Sequence, residues 1–346
     1  MNPSPLDLTN GEWQNLVRKV CDGTCTPFLG VGAAKRIFGD TAAIARSLVI
    51  DEENKIDDSD LLDTTGDNLP RLSQQLQTRY SEDDLRERWA KFIDRKAPKN
   101  LILPPDLPQM ALAGLNFPVW ITTAYDDLIL RALAKRAYAP EPRLCRWSEF
   151  GPYDDQIEVP DFMENRSGRP ITQPFADYHP PDNTAPEYEG KKSPLVYHLY
   201  GHYSWKETLV TSQVHFLELL AKTAEAKDRQ GADLGRIPER VLAAIRTTSL
   251  LFIGYRLGDL DFRILLHTLK DRFVENRGFN IAIQVEPKDP TSAALQQAVG
   301  EGEQRRTLRD YAQREIKQYF PWANIRVVFA EAEKFAGALS QDGDKR

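Results

Sequence analysis

Short apolar segments alternate with longer stretches of helical periodicity along this chain, and the alternation constrains the fold more than any other feature. Parallel strands need a crossover between them, usually a helix that packs on one face of the sheet. The alternation therefore predicts an α/β protein with a mostly parallel sheet that helices cover on both faces. The segments with strand character are Thr26–Leu29, Val119–Thr122, Leu195–Tyr200, Ser249–Tyr255, Asn280–Val285 and Ile325–Phe329.

Two regions interrupt this alternation and predict insertions. Residues from about 41 to 116 are charged and mainly helical in pattern, with a polar break between about 51 and 67. Residues from about 140 to 193 are rich in proline, aspartate and tyrosine, which predicts an irregular, loop-rich insertion that serves as a lid or an interface. The length of 346 residues fits two domains, and it fits a single enlarged α/β domain as well.

The charge and cysteine content narrow the classes of function. The net charge of −6 is spread along the chain, which argues against a dedicated nucleic-acid-binding protein. No apolar run is long enough to span a bilayer and the N-terminus does not resemble a signal peptide, so we expect a soluble, intracellular protein. Cys21, Cys25 and Cys145 form neither a disulfide framework nor a zinc-ligand set, so no metal is expected.

The stretch from Pro118 to Ile129 is the leading candidate for the floor of an active site. A run of β-forming residues ends at Thr122, and the small residues Thr123 and Ala124 follow it. A helical pattern then opens with the acidic Asp126, which suits the positive end of a helix. Open α/β sheets bind ligands at this kind of strand end, and small loop residues let a substrate approach the backbone.

Glycines follow two other apolar segments and indicate a nucleotide. The turn Gly30-Val31-Gly32-Ala33 would let a phosphate or a ribose approach the backbone, although such turns are common in other proteins. Gly254-Tyr255 ends one further segment with strand character, and the titratable His202 follows another. In a parallel sheet these strand ends open into one crevice, so their joint occurrence predicts a nucleotide site there.

Four motifs together resemble the SIR2-like family of prokaryotic proteins. They are Phe-Leu-Gly-Val-Gly-Ala, Ile-Thr-Thr-Ala-Tyr-Asp-Asp, Val-Tyr-His-Leu-Tyr-Gly-His and Leu-Phe-Ile-Gly-Tyr-Arg-Leu-Gly-Asp-Leu-Asp-Phe. The resemblance extends from about Thr26 to Leu339 and implies one sirtuin-type Rossmann domain, residues 1–346, that binds NAD at the strand carboxyl ends. The NAD-binding positions that it implies are Gly30, Val31, Gly32, Ala33, Thr122, Thr123, Tyr125, Gly254, Tyr255 and Asp259.

The resemblance also implies an activity and a setting. The activity is hydrolysis of NAD+ to nicotinamide and ADP-ribose by an effector of antiphage defence that depletes NAD in abortive infection. The deacetylase branch of the sirtuins carries a four-cysteine zinc ribbon, which three cysteines cannot form, so hydrolysis is favoured over deacylation. The resemblance further implies a prokaryotic, cytoplasmic homo-oligomer with a defence partner, such as an Argonaute-like protein, a HerA-like ATPase or a STAND-type NTPase.

One departure from the family pattern lies at Ala124. The family motif reads Thr-Thr-Asn-Tyr-Asp, and its asparagine amide positions the nicotinamide ribose and the attacking water. Alanine has no polar side-chain atom, and loss of one positioned hydrogen-bonding group commonly lowers the rate by on the order of 10²–10³. We therefore predict an impaired hydrolase, although Asp126 is retained. A deliberate Asn→Ala replacement is the simplest explanation of the alanine, and a natural loss is the alternative. The alternative function is a sensor or scaffold that binds NAD or ADP-ribose without turnover.

A second departure lies at Tyr200, which occupies the histidine position of the family's Leu-His-Gly. His198 and His202 flank it at two-residue steps, so the three side chains share one face if the segment is extended. Either histidine is a candidate general base near neutral pH. His202 is preferred because it follows the end of the strand, whereas a core position is the alternative for His198.

Packing and capping compete with function at other positions. Tyr125 is equally well explained as a core residue, and Asp259 as the cap of a helix. His215 and His267 are expected to be surface or packing residues. The cationic Arg36, which follows the glycine turn, could meet a diphosphate or lie on a solvated helix face.

Overall fold

The computed structural model contains a seven-stranded sheet in which every pair of neighbouring strands is parallel. The predicted α/β fold with a parallel sheet is therefore confirmed. The strands are β1 (Cys25–Leu29), β2 (Val119–Thr122), β3 (Glu141–Leu144), β4 (Leu195–His198), β5 (Ser249–Ile253), β6 (Asn280–Gln284) and β7 (Ile325–Phe329). The structure describes residues 8–51, 56–58, 68–136, 138, 140–145, 147, 157–158, 172–173, 187–188, 191–224, 237–256, 260–268, 278–284, 310, 314, 318, 323–343 and 345.

The strand order across the sheet is β7-β6-β5-β1-β2-β4-β3, so the chain leaves the central strand β1 in both directions. The order reverses between β1 and β5, and such a switch point is where open α/β sheets bind ligands. The strands end level with one another, because Leu29 is in register with Ile253 on one side and with Thr122 on the other. Thr122 is in turn in register with His198.

Helices cover both faces of the sheet, and an apolar core lies on each face. Trp120 of β2 belongs to the core beneath α1 to α7 and α11, whereas Val119 and Ile121 belong to the core beneath α8 to α10. In the described parts of the chain, no helix combines the length and the apolar character needed to cross a membrane. The helices are α1 (Asn10–Cys21), α2 (Lys35–Phe38), α3 (Thr41–Val49), α4 (Leu69–Arg79), α5 (Glu82–Lys96), α6 (Pro108–Leu112), α7 (Leu128–Lys135), α8 (Gln213–Ala224), α9 (Glu239–Thr247), α10 (Leu260–Thr268) and α11 (Ala332–Gly343).

The predicted helical insertion contains α3 to α6, although most of its polar break lies outside the described residues. Ser81 caps α5 by accepting from the Asp84 amide at 3.0 Å, and the acidic first turn of α5 suits the helix dipole. Trp89 of α5 packs edge-on against Tyr125, with ring centroids 4.9 Å apart. The insertion therefore covers the loop that follows β2.

The edge strand β3 (Glu141–Leu144) lies inside the region from about 140 to 193, in which no strand was predicted from the sequence. Pro142 is tolerated there because an edge strand leaves one row of amides unpaired. The buried Arg143 forms an ion pair with Glu141, and the second carboxylate oxygen of Glu141 lies 3.4 Å from Nη1 of Arg240. An ion-paired strand lacks the apolar pattern that the sequence criteria required.

The remainder of that insertion lies largely outside the described residues. Antiparallel pairs of two-residue strands occur in the described parts of this insertion and of the helical insertion. They are Ile50–Asp51 with Ile56–Asp57, Ile157–Glu158 with Thr172–Gln173, and Glu187–Tyr188 with Lys191–Lys192. The two short 3-10 helices of the described residues are Val31–Ala34 and Lys206–Thr208.

Candidate functional site

The turns that follow β1 and β5 cross at the switch point with their backbones in contact. The Gly30 amide donates to the Ile253 carbonyl at 2.9 Å, and the Gly32 amide donates to the Gly254 carbonyl at 3.2 Å. A Cβ atom on Gly30 or Gly32 would lie 2.7 Å from the Gly254 oxygen, and Gly254 itself has φ +83°. The predicted glycines therefore meet at one point, where they allow direct packing of one backbone on another.

Val31 and Ala33 lie in the short 3-10 helix that follows Gly30. The Ala33 amide donates to the Gly30 carbonyl at 3.0 Å, which closes the turn. A Cβ atom on Gly254 would lie 2.1 Å from this same Ala33 nitrogen. The glycine turn from Gly30 to Ala33 therefore packs directly against the turn that follows β5.

The end of β2 is tied to the end of β1 and to the turn after β5. The Thr123 amide and the Thr122 hydroxyl both donate to the Leu29 carbonyl at 3.0 Å. The Thr122 hydroxyl oxygen also accepts from the Ala124 amide, and the Thr123 hydroxyl donates to the phenolic oxygen of Tyr255, each at 3.0 Å. The structure therefore brings together three of the strand ends that the sequence singled out.

Tyr125 connects the loop after β2 with the segment that follows β4. Its hydroxyl donates to the Val210 carbonyl at 2.6 Å, and its own carbonyl accepts from the Tyr203 amide at 2.9 Å. Its ring contacts Trp89. These are the contacts of a packing residue, which was the alternative to an NAD-binding role for Tyr125.

Asp126 is a buried carboxylic acid that lies two residues before the start of α7 at Leu128. Its Oδ1 atom accepts from the Leu128 amide at 3.0 Å, and only 5% of the residue is exposed. Burial raises the pKa of Asp126 to about 7, and the neighbouring Asp127 carboxylate contributes in the same direction. A carboxyl with such a pKa can exchange a proton near neutral pH.

A buried ion pair beside Asp126 was missed by the sequence reasoning. Arg131 donates from Nη2 to Asp127 Oδ2 at 3.0 Å, and its Nε lies 2.8 Å from Asp127 Oδ1. The guanidinium also donates to the carbonyls of Ala97 and Pro98, at the end of α5. Burial raises the pKa of Asp127, and Arg131 opposes that shift. The signal available in the sequence was an Asp–Arg pair at an i, i+4 spacing.

The segment after β4 does not continue as a strand, which corrects the expectation that His198, Tyr200 and His202 share one face. Gly201 has φ +86° and turns the chain. Tyr200 packs edge-on against Phe216 of α8, with ring centroids 5.0 Å apart. His198 and His202 instead meet each other, at 4.9 Å between ring centroids and an interplanar angle of 87°.

The two histidines are buried, and three of their four ring nitrogens have no hydrogen-bond partner among the described residues. Each is 1% exposed. Among the described residues, no group forms a hydrogen bond with either ring nitrogen of His198 or with Nε2 of His202. Burial lowers the pKa of His198 to about 4, a shift that the nearby Ala124 backbone opposes without forming a hydrogen bond of good geometry. Burial also lowers the pKa of His202 well below its ordinary value.

The remaining candidate residues are Asp259, Arg36 and His215. Asp259 lies outside the described residues. Arg36 forms an ion pair with Asp106, and both side chains are about half exposed. His215 is buried, with Nε2 3.1 Å from a carboxylate oxygen of Glu82, which supports its expected packing role. Within the described ranges, no three histidine, cysteine, aspartate or glutamate side chains are placed to hold a metal ion.

Comparison with known proteins identifies the family. A family model described as SIR2-like domain matches residues 118–311, which is more than half of the 346 residues. The chain therefore belongs to the SIR2-like family, whose domains use NAD. No curated protein matches the sequence. The matched segment contains the loop after β2, the histidine pair and the turn after β5, while the turn Gly30–Ala33 precedes it.

Proposed function

We propose that this SIR2-like chain binds NAD+ where the ends of β1, β2, β4 and β5 meet, and that it is a NAD+ hydrolase whose turnover is suppressed by Ala124. The observation that carries the proposal is the buried His198–His202 pair. Buried polar atoms are almost always hydrogen-bonded in folded proteins, so ring nitrogens at a strand end that have no partner among the described residues support a place for a polar ligand. The family match supports NAD+ as that ligand.

The chain's own residues supply groups for water addition at the nicotinamide ribose. Hydrolysis breaks the bond between nicotinamide and the ribose and adds a water molecule, which must lose a proton. Asp126, with a pKa of about 7, and the neutral histidine pair are the groups available to accept it. Position 124 is where the family's asparagine would hold the ribose and the water, and alanine cannot. We therefore expect a rate lower by on the order of 10²–10³ than that of an asparagine-containing protein.

A second candidate function is a sensor or scaffold that binds NAD or ADP-ribose without turnover. The observation that favours it is the position of Tyr200, which occupies the family's histidine position. Its ring packs against Phe216 in the apolar core rather than beside the other strand ends. The two family positions that carry polar catalytic groups therefore carry an alanine and a core tyrosine.

Nicotinamide release by the chain and by its Ala124→Asn variant separates the two functions. Turnover that appears or rises at least about 100-fold in the variant supports the hydrolase. Calorimetric binding of NAD+ by both proteins, with turnover in neither, supports the sensor or scaffold. Absence of NAD+ binding in both proteins would contradict the proposed site. His267→Gln, at an exposed position of α10, serves as a control that should change neither measurement.

The proposed setting follows from the resemblance to the defence branch of the family. It comprises NAD depletion during phage infection, self-assembly in the cytoplasm of a prokaryote, and a partner such as an Argonaute-like protein, a HerA-like ATPase or a STAND-type NTPase. Expression of the Ala124→Asn variant in infected bacteria tests it. NAD levels that fall on infection only in the variant would support the effector role, and levels that are unchanged would contradict it.

A further inference from the structure

The hydrogen bond to Nδ1 of His202 fixes the position of the proton on its ring. The Ser204 backbone amide donates to this nitrogen at 3.2 Å. A backbone amide can only donate, so Nδ1 must present its lone pair. A neutral imidazole has one protonated nitrogen, and the proton of His202 therefore lies on Nε2. The ring offers Nε2–H as a donor, and its single acceptor is already in use.

The surroundings of His202 keep the ring neutral. The ring is buried against the rings of His198, Tyr203 and Trp205, at 4.8–5.2 Å between centroids. Desolvation is the main reason that its pKa is low, and the charge of Arg131, like that of His198 when it is protonated, acts in the same direction. A second proton would also have to sit on Nδ1, directly opposite the Ser204 amide hydrogen. His202 is consequently poorly suited to accept a proton.

The Nε2–H group of His202 has no acceptor among the described residues. A buried donor without a partner carries a desolvation cost of about 1–3 kcal/mol, which a bound acceptor would remove. His198 contributes to the same place, because neither of its ring nitrogens has a partner within the described residues. A neutral His198 ring supplies one donor and one acceptor. Together the two rings match a ligand group that both accepts and donates hydrogen bonds.

We propose that His198 and His202 form an uncharged subsite that binds a hydroxyl or a primary carboxamide of the nucleotide, with His202 as the donor through Nε2 and His198 as the acceptor. The proposal rests on the proposed NAD+ site for the identity of the ligand. NAD+ carries both groups, in its riboses and in its nicotinamide ring. The proposal also changes the assignment of the general base, because it leaves His198 and Asp126 as proton acceptors and removes His202 from that role.

Two substitutions of His202 show whether ligand binding depends on the donor at Nε2 or on the acceptor at Nδ1. His202→Gln places an amide N–H near the position of Nε2, whereas His202→Asn places its amide near Nδ1 and lacks a group that reaches the ligand. Calorimetry with ADP-ribose and with nicotinamide as probes shows whether the subsite takes a hydroxyl or a carboxamide. We expect the asparagine variant to bind one probe about tenfold more weakly and the glutamine variant to stay within about threefold of the unaltered chain. His267→Asn, at an exposed position, is the matched control.

Nitrogen NMR of the full chain with labelled histidine tests the donor state without any ligand. The chain contains 5 histidines, and the signal that disappears in His202→Gln identifies His202. We expect a neutral ring protonated on Nε2 at neutral pH. A proton on Nδ1, or a charged ring at neutral pH, would overturn the inference.

The outcomes distinguish the inference from the proposed function. Binding of a probe with an equal loss of affinity in both variants would overturn the donor role of His202 and leave the NAD+ site standing. An Nε2-protonated ring without binding of either probe would support the donor state but overturn both the proposed function and the ligand assignment. A tenfold loss in the asparagine variant alone, together with the expected NMR signal, would support both.

Discussion

The hydroxyl of Thr123 donates a hydrogen bond to the phenolic oxygen of Tyr255 at 3.0 Å, and both residues are buried. This bond joins the loop after β2 to the turn after β5 across the central strand β1. A Cβ atom on Gly30 would lie 3.0 Å from the Tyr255 ring, so the ring rests against the end of β1. The Thr123–Tyr255 pair therefore fixes the relative positions of three strand ends at the candidate site.

Tyr255→Phe should lower the free energy of unfolding by about 1–2 kcal/mol. The ring contacts with Phe252 and Phe262 are retained, but the buried Thr123 hydroxyl loses its acceptor. Thr123→Val should cost a similar amount, and the double variant should cost less than the sum, because no polar group is then left alone. Urea unfolding of the four proteins measures this coupling. Fully additive losses would show that the bond contributes nothing.

Gly254→Ala should destabilise the protein by more than about 3 kcal/mol or prevent folding. The residue has φ +83°, and the new methyl group would overlap the Ala33 nitrogen, which belongs to a fixed backbone. Gly337→Ala is the control, because it lies within α11 with no atom within 4 Å of the new Cβ and should be neutral or stabilise by up to about 1 kcal/mol. Thermal unfolding of both variants makes the comparison. Equal melting temperatures would contradict the backbone crossing.

Arg131→Met should destabilise the chain by about 3–5 kcal/mol, because it leaves the Asp127 carboxylate buried without its partner. The variant also loses the hydrogen bonds to Ala97 and Pro98, so the end of α5 should exchange its amide hydrogens faster. Hydrogen exchange and urea unfolding measure the two effects. Lys334→Met, which breaks an exposed ion pair with Glu331, should produce no measurable change. Similar losses in both variants would argue against the importance of burial.

Asp126→Asn should change how stability depends on pH. The pKa of Asp126 is raised from 3.8 to about 7, so between these values the folded state holds a proton that the unfolded chain has released. This carboxyl therefore makes the protein less stable as the pH rises through that window, by up to about 1.4 kcal/mol per pH unit. The lowered pKa of His198 acts in the opposite direction, which is why the variant must be compared with the unaltered chain.

Unfolding free energies at about pH 5 and pH 7 give the two slopes for this comparison. The asparagine variant should gain stability relative to the unaltered chain as the pH rises. Asp83→Asn is the control, because the Asp83 side chain is 97% exposed and its removal should leave the slope unchanged. Parallel slopes for Asp126→Asn and the unaltered chain would show that the carboxyl is ionised throughout.

Local sequence signals were sufficient for the main elements of the fold. The strands β2 and β7 were predicted with their observed bounds, and β5 was predicted from its observed first residue but two residues too long. Buried strands have runs of β-forming residues that can be recognised without knowledge of their neighbours. The strand β3 was missed, because its Glu141, Pro142 and Arg143 depend on an edge position and on Arg240 of a distant helix. That information is absent from the segment itself.

The candidate site shows the same division between local and tertiary information. The sequence by itself identified the strands that lead to the site, the glycines at the crossing and the departure at Ala124, because each is a matter of residue type within a short motif. Only the tertiary structure decided that His198 and His202 meet while Tyr200 enters the core, and that Ser204 fixes the proton of His202. The physical reason is the left-handed turn at Gly201, together with the burial of both histidine rings, which lowers their pKa values.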